Sequence, residues 1–176
     1  EVLLVFVDAD TLSYLALENF IGIALVEEYC KMKAAKKVAW RHPAFNYRFD
    51  AIVYCVTSAL GFAAIENVFY CVEEGFGLVV SRALLSVPSH AVDGLIMGYY
   101  FGLAKEAELA GDRRRRKRFM RFSVLMPMLT HGFYDFALSL DADWILLLFF
   151  VFVIALDIWA YKFVKKQARE DRTLAA

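Results

Sequence analysis

Proline, cysteine and net charge are all scarce in this 176-residue chain, and each scarcity removes a class of protein. Of the three prolines, Pro43 is expected to stop a helix, and Pro88 and Pro127 to kink the apolar segments that contain them. The three cysteines, Cys30, Cys55 and Cys71, are an odd number, lie in or beside apolar segments and form no CxxC pair. They argue for helix packing and against a disulfide framework or structural zinc site. Lys and Arg number 20 and so do Asp and Glu, so no net basic charge calls for a nucleic-acid partner. There is no HExxH of a zincin and no GxSxG serine elbow. Tyr134-Asp135 matches one element of the intramembrane aspartyl proteases, but their GxGD is met only by Gly75-Phe76-Gly77-Leu78, without an acid, and that class is set aside. No basic region precedes an apolar core and a small-residue cleavage site, so no signal peptide is expected.

What the chain has in abundance is apolar surface. Apolar residues make up 60% of it and the mean hydropathy is +0.48, far above a soluble domain. An all-α, polytopic transmembrane bundle of about five spans follows. The opening EVLLVFV is shorter than the roughly 20 apolar residues a span needs, and reads as the end of an earlier span, the chain being N-terminally truncated. Span one starts at Thr11 and gives way to EEYCKMKAAKK, with Pro43 beyond it as a stop. Span two is Asp50 to Tyr70, and span three runs from near Leu78 to Lys105. The basic run Arg113 to Arg118 separates span three from span four, Phe119 to Leu140. A tight loop, Asp141 to Asp143, precedes span five, Trp144 to Val164, and KKQAREDR ends the chain as a solvated tail. Gly94, Gly98 and Gly102 form a small-residue stripe on span three that lets a neighbouring helix approach.

Basic residues set the orientation. Six Lys and Arg lie between Lys31 and Arg48, eight between Lys105 and Arg121 and five between Lys162 and Arg172, leaving Arg82 alone on the other side. Segments 31–48 and 105–121 and the C-terminal tail are therefore expected in the cytoplasm. Asp8 to Asp10, Glu73 to Glu74 and Asp141 to Asp143 then fall outside. The arginine run is read as a topological signal.

Against this apolar background a few ionisable residues stand out, and such residues within a span are functional by default. They are Glu27, Glu28 and Lys31 in the first span, Glu66 with Asn67 in the second, His90 and Asp93 in the third, and His131 and Asp135 in the fourth. Spacings of three and four place Glu27 and Glu28 beside Lys31, Asp93 beside His90 and Asp135 beside His131. The plain readings are an interfacial ion pair with Lys31 snorkelling, a neutral packed Glu66 and satisfied core histidines. The combination favours chemistry: Glu28, Glu66, His90 and His131 are expected to face one internal cavity. Reached from Thr11, Glu28 lies roughly 25 Å from the outer face, so this requires tilt, a bend after Gly22 or a vestibule open to the cytoplasm.

Hydrolysis of a peptide bond needs an activated water, a donor to the oxyanion and a donor to the leaving amine, and glutamate with histidine supplies all three. Alternatively Glu66, His90 and His131 hold zinc with an open position. Buried acids and histidines also build ion pathways, but no internal repeat of the transporter kind is present.

In order along the chain, EEYCK at 27–31, FDAIVY at 49–54, GFAAIENVFY at 61–70, VPSHAVDGLIMGYYFGLAK at 87–105 and HGFYDF at 131–136 resemble the PrsW family of prokaryotic intramembrane proteases, relatives of the type II CAAX-prenyl endopeptidases. The resemblance runs from about Leu12 to Leu140. It implies a multi-pass protease of the prokaryotic cell membrane, glutamic-type or metal-dependent, acting on a membrane-anchored protein; the best-known members cut a membrane-bound anti-sigma factor. It places the family's paired glutamates on Glu27 and Glu28, its lysine on Lys31, its glutamate-asparagine pair on Glu66 and Asn67 and its histidines on His90 and His131. The expected catalytic set is Glu27, Glu28, Glu66, His90 and His131, with Lys31 and Asn67 supporting and Asp93 and Asp135 added to the support by their spacing from the histidines. Asp135 is a departure, since relatives often carry asparagine there. The expected organisation is a single integral-membrane protease domain over 1–176, with its catalytic core at 11–140 and the last span and cytoplasmic tail at 141–176. A non-catalytic pseudoprotease scaffold is the competing reading within the same fold.

Overall fold

A computed structural model describes residues 12–140 and 143–174. The EVLLVFV stretch, Asp8 to Asp10, the Thr11 start of span one and Asp141 and Ala142 of the last loop lie outside the described residues. The chain is built of helices: α1 (Leu12–Leu17), a π-helical stretch (Glu18–Ala24), α2 (Leu25–Ala39), α3 (Asp50–Glu74), α4 (Phe76–Leu109), α5 (Arg113–Leu138) and α6 (Asp143–Arg169). α1, the π-helical stretch and α2 follow one another without a break, so the described chain forms five rods, as the hydropathy pattern predicts. Two of them, Asp50–Glu73 and Asp143–Arg169, are long and apolar enough by composition alone to cross a membrane. Of these two, Asp50–Glu73 itself carries Glu66 and Asn67, and the remaining rods carry the other polar intrusions.

α3 and α4 form the most extensive pair in the bundle, and the glycine stripe is the reason. A Cβ at Gly98 would stand 2.5 Å from the Cα of Ile52, and one at Gly94 would stand 2.8 Å from the Cα of Val56. Only hydrogen at these positions lets the two backbones touch. Beside this seam, Cys55, Met97 and Phe101 pack with Trp40 and Phe45 in the main core, the rings of Trp40 and Phe101 meeting edge to face at 4.8 Å. Cys55 is a packing residue here, and Cys30 and Cys71 are also free thiols.

One end of the bundle gathers the basic segments into a collar. Lys105 donates to the Trp40 carbonyl, Arg116 pairs with Glu108 at 2.9 Å, and Arg172 pairs with Glu106 at 2.9 Å. Two sequence expectations are corrected at this end. The run Arg113 to Arg118 is the first part of α5 and not a connecting loop, because Asp112 caps the helix by accepting from the Arg115 N–H. Nor is the tail simply solvated: helix α6 continues to Arg169, after which Leu174 donates to the Asn46 carbonyl and the Arg48 N–H donates to the Arg172 carbonyl.

Candidate active site

Four helices contribute to one chain of polar contacts. On α2, Glu28 and Lys31 are three residues apart, and the Lys31 ammonium lies 2.6 Å from Glu28 Oε1 and 3.3 Å from Glu27 Oε2. Neither Lys31 nor Glu28 has exposed side-chain surface, so the lysine does not snorkel. It lies over the Phe62 ring of α3 and reaches across to α4, 3.0 Å from His90 Nδ1. An ammonium can only donate, so His90 Nδ1 accepts and the ring proton sits on Nε2, which is 3.0 Å from Glu66 Oε2 on α3. On α5, His131 presents Nδ1 to Glu28 Oε1 at 2.8 Å and Nε2 to Asp135 Oδ2 at 3.1 Å. The His90 and His131 rings meet edge to face, 5.3 Å between centroids.

The entry into α2 makes this convergence feasible. The Asn19 side-chain amide donates to the Leu15 carbonyl, the acceptor an α-helix would offer to Asn19's own N–H, and it also reaches Ser139 Oγ of α5 at 3.2 Å. The chain continues from there with i→i+5 bonding over Glu18–Ala24, a geometry common at functional sites. Phe20 of this stretch lies against Gly132, where a Cβ would stand 2.5 Å from the ring. The glycine after His131 thus brings α5 close to the segment that leads into Glu27 and Glu28.

These contacts surround a cavity of about 370 Å³ lined by Glu27, Glu66, His90, Asp93, His131 and Asp135, among others. It differs from expectation in three respects. Glu28 packs behind the wall, and Glu27 is the member of the pair that faces the cavity. Asp93 does not orient His90: it turns to α5 and accepts from Thr130 Oγ1 at 2.6 Å. The cavity also takes its walls from Ser81 and Arg82 near the start of α4 and Leu138 and Ser139 at the end of α5, away from the basic collar.

Arg82 is the site residue that sequence reasoning missed. Counted only as the lone basic residue of its side, it lies 2.9 Å from Glu66 Oε1, donates to Asn67 Oδ1 at 2.9 Å and covers the Tyr70 ring at 3.8 Å. Its isolation among acidic turns was the available signal. Thr130, which engages Asp93, had none beyond adjacency to His131.

The donor chemistry fits a divalent metal. Glu28, His90, Asp93 and His131, all buried, offer ligand atoms within 4.8 Å of one another, and so do Glu27, Glu66 and His90. Glu27 Oε2, Glu28 Oε2 and Asp93 Oδ2 are buried without a hydrogen-bond partner among the described residues, as carboxylate oxygens awaiting a cation or water would be. The expected trio Glu66, His90 and His131 is divided by this geometry: His90 belongs to both groups, Glu66 and His131 to different ones.

A family profile described as PrsW family intramembrane metalloprotease matches residues 2–159. The protein named Protease PrsW of Halalkalibacterium halodurans is 37% identical over 156 residues, 89% of this chain and 70% of that protein. Those of Geobacillus kaustophilus and Bacillus subtilis are 38% and 36% identical, over 73% and 77% of this chain. The chain spans 55% and 61% of the length of these last two relatives. No solved structure matches it. With the profile covering nearly the whole sequence and relatives aligned across the helices that carry the glutamates and histidines, the chain belongs to the PrsW family of intramembrane proteases.

Proposed function

We propose that the cavity hydrolyses a peptide bond of a membrane-anchored protein and that Glu27 is its general base. The observation that carries this reading is Glu27 Oε2, which is buried and lacks a hydrogen-bond partner among the described residues, on a side chain that lines the cavity, 3.7 Å from His131 Nε2. Its 3.3 Å approach to Lys31 is an ion pair, and the side chain still lines the cavity. Glu66 is less suited to this work, because one oxygen is held by His90 and the other by Arg82.

In the proposed reaction Glu27 takes a proton from water as the oxygen bonds to the scissile carbonyl carbon, and the π electrons move to the carbonyl oxygen. His131, fixed at Nδ1 by Glu28, donates from Nε2 to that oxygen once substrate displaces Asp135. Collapse of the tetrahedral intermediate breaks the C–N bond, and the proton held on Glu27 passes to the leaving amine. Lys31 and Glu28 hold Glu27 and His131 in register, while Glu66 and Arg82 hold His90. Within this reading the collar end of the bundle is cytoplasmic and the catalytic core is 11–140.

A metal-dependent reading is favoured by a separate observation, the four-residue group Glu28, His90, Asp93 and His131. These residues would hold the ion, which supplies Lewis-acid activation of water when bound. Lys31 already bonds Glu28 and His90 in that group, and would have to release both. Cleavage of a membrane-anchored reporter by purified protein, with and without a chelator and alongside metal analysis, separates the two. Full activity after chelation supports the glutamate base; activity lost on chelation and restored by a divalent ion supports the metal. No cleavage under either condition favours a scaffold.

A further inference from the structure

Beside the collar, between α2 and α5, lies a second cleft of about 510 Å³ that takes no part in the contacts described above. It is graded along its length. Tyr29 of α2 and Leu125 of α5 form its apolar end, and Lys36 and Lys117 lie two turns further toward the collar on their respective helices. Met32, Met120 and Val124 make an apolar floor between them. Arg116 at the rim is neutralised by Glu108, but Lys36, Lys117 and Arg121 make no ion pair among the described residues.

Three cations without counter-charges above an apolar floor, at the polar end of a membrane bundle, match the chemistry of a lipid with an anionic headgroup. We propose that this cleft binds one anionic phospholipid, its phosphate among Lys36, Lys117 and Arg121 and the upper part of an acyl chain against Met120, Val124 and Leu125. Lys117 of the basic run thereby acquires a binding role beside its topological one. The site also has a route to the cavity: Met32 follows Lys31 directly, and Val124 lies seven residues, two helical turns, before His131. A lipid bridging α2 and α5 braces the pair of helices that hold Glu28 against His131. The proposal rests on the membrane setting and not on proteolysis.

Native mass spectrometry of the full chain in detergent, titrated with phosphatidylglycerol or phosphatidylcholine, tests it without reference to activity. Phosphatidylglycerol is expected to be retained in preference, and the double variant Lys117→Gln, Arg121→Gln is expected to weaken retention about tenfold or more. Arg113→Gln with Arg114→Gln removes the same charge from the same helix outside the cleft, and is expected to change retention by no more than about twofold. Lys36→Gln, on the opposite wall, is expected to reproduce the direction of the loss, so a folding defect in the α5 variant leaves the test intact. Equal retention of the two lipids overturns the proposal, as does equal weakening by the Arg113 and Arg114 pair. Displacement of the lipid by millimolar phosphate or a soluble acidic peptide also overturns it, since either would show that the apolar floor contributes nothing.

Discussion

His131 Nδ1 stands 2.8 Å from Glu28 Oε1, a carboxylate with no exposed side-chain surface. The same oxygen lies 2.6 Å from the Lys31 ammonium, so one buried atom joins the helix carrying the paired glutamates to the helix carrying the second histidine. The consequence is a division of labour between adjacent residues. Glu28 is turned inward onto Lys31 and His131, Glu27 lines the cavity, and on the proposed reading the first anchors and the second reacts.

Removing one partner of a buried pair leaves the other charge uncompensated, which costs about 3–5 kcal/mol. Lys31→Met is therefore expected to lower the thermal unfolding midpoint in detergent, and Glu28→Gln to do so to a similar or smaller degree. The double variant Lys31→Met, Glu28→Leu should lose less than the sum of the two single losses, because neither charge of the pair remains buried, although His131 Nδ1 also loses its acceptor. Additive losses in the double variant would show that the two side chains do not act as a pair.

The α3–α4 seam makes a packing prediction free of chemistry. Gly98→Ala places a methyl group 2.5 Å from the Ile52 backbone, and a backbone cannot yield as a side-chain tip can. A destabilisation of about 1–3 kcal/mol is expected, as for other overpacked interiors. Gly61→Ala, on α3 where an added Cβ meets nothing within 4 Å, is the matched control and should leave the unfolding midpoint unchanged or slightly raised, alanine being the better helix former.

Arg82 is expected to be a positioning residue acting through Glu66 and His90. Arg82→Gln should lower kcat by up to roughly 100-fold, the penalty for a small misplacement at a reacting centre, with the unfolding midpoint retained. Arg82→Lys should recover part of kcat, since an ammonium can still pair with Glu66 but cannot bond Asn67 in the same way. Full activity of Arg82→Gln would show that Glu66 needs no such support.

Much of this architecture was legible in the chain. Apolar runs long enough to span a bilayer announce helices strongly, and Glu66 or His90 within such runs cannot be mistaken for background. The i,i+4 relation between His131 and Asp135 carried over directly into a 3.1 Å contact. What was not legible is the rotation of each helix about its own axis. Asp93 and His90 are three apart, as Glu28 and Lys31 are, yet Asp93 faces Thr130, because its direction depends on how closely α5 packs. Likewise the choice between Glu27 and Glu28 as the cavity-facing acid follows from the π-helical stretch before them, and apolar periodicity does not reveal a local change from i→i+4 to i→i+5 bonding. Arg82 was hidden for a third reason: its partners, Glu66 and Asn67, lie across the turn at Gly75 on another helix.

The most direct test of the account is the rate at which Glu27→Gln cleaves a membrane-anchored reporter, measured beside the unaltered chain at matched folding. Glutamine keeps the size of the side chain and one acceptor oxygen while removing its charge and its capacity to take a proton. A loss of about 10²- to 10⁴-fold in kcat is expected, with the thermal unfolding midpoint unchanged. Turnover by Glu27→Gln at the rate of the unaltered chain would contradict the assignment of Glu27 as the base, and with it the division of labour between Glu27 and Glu28.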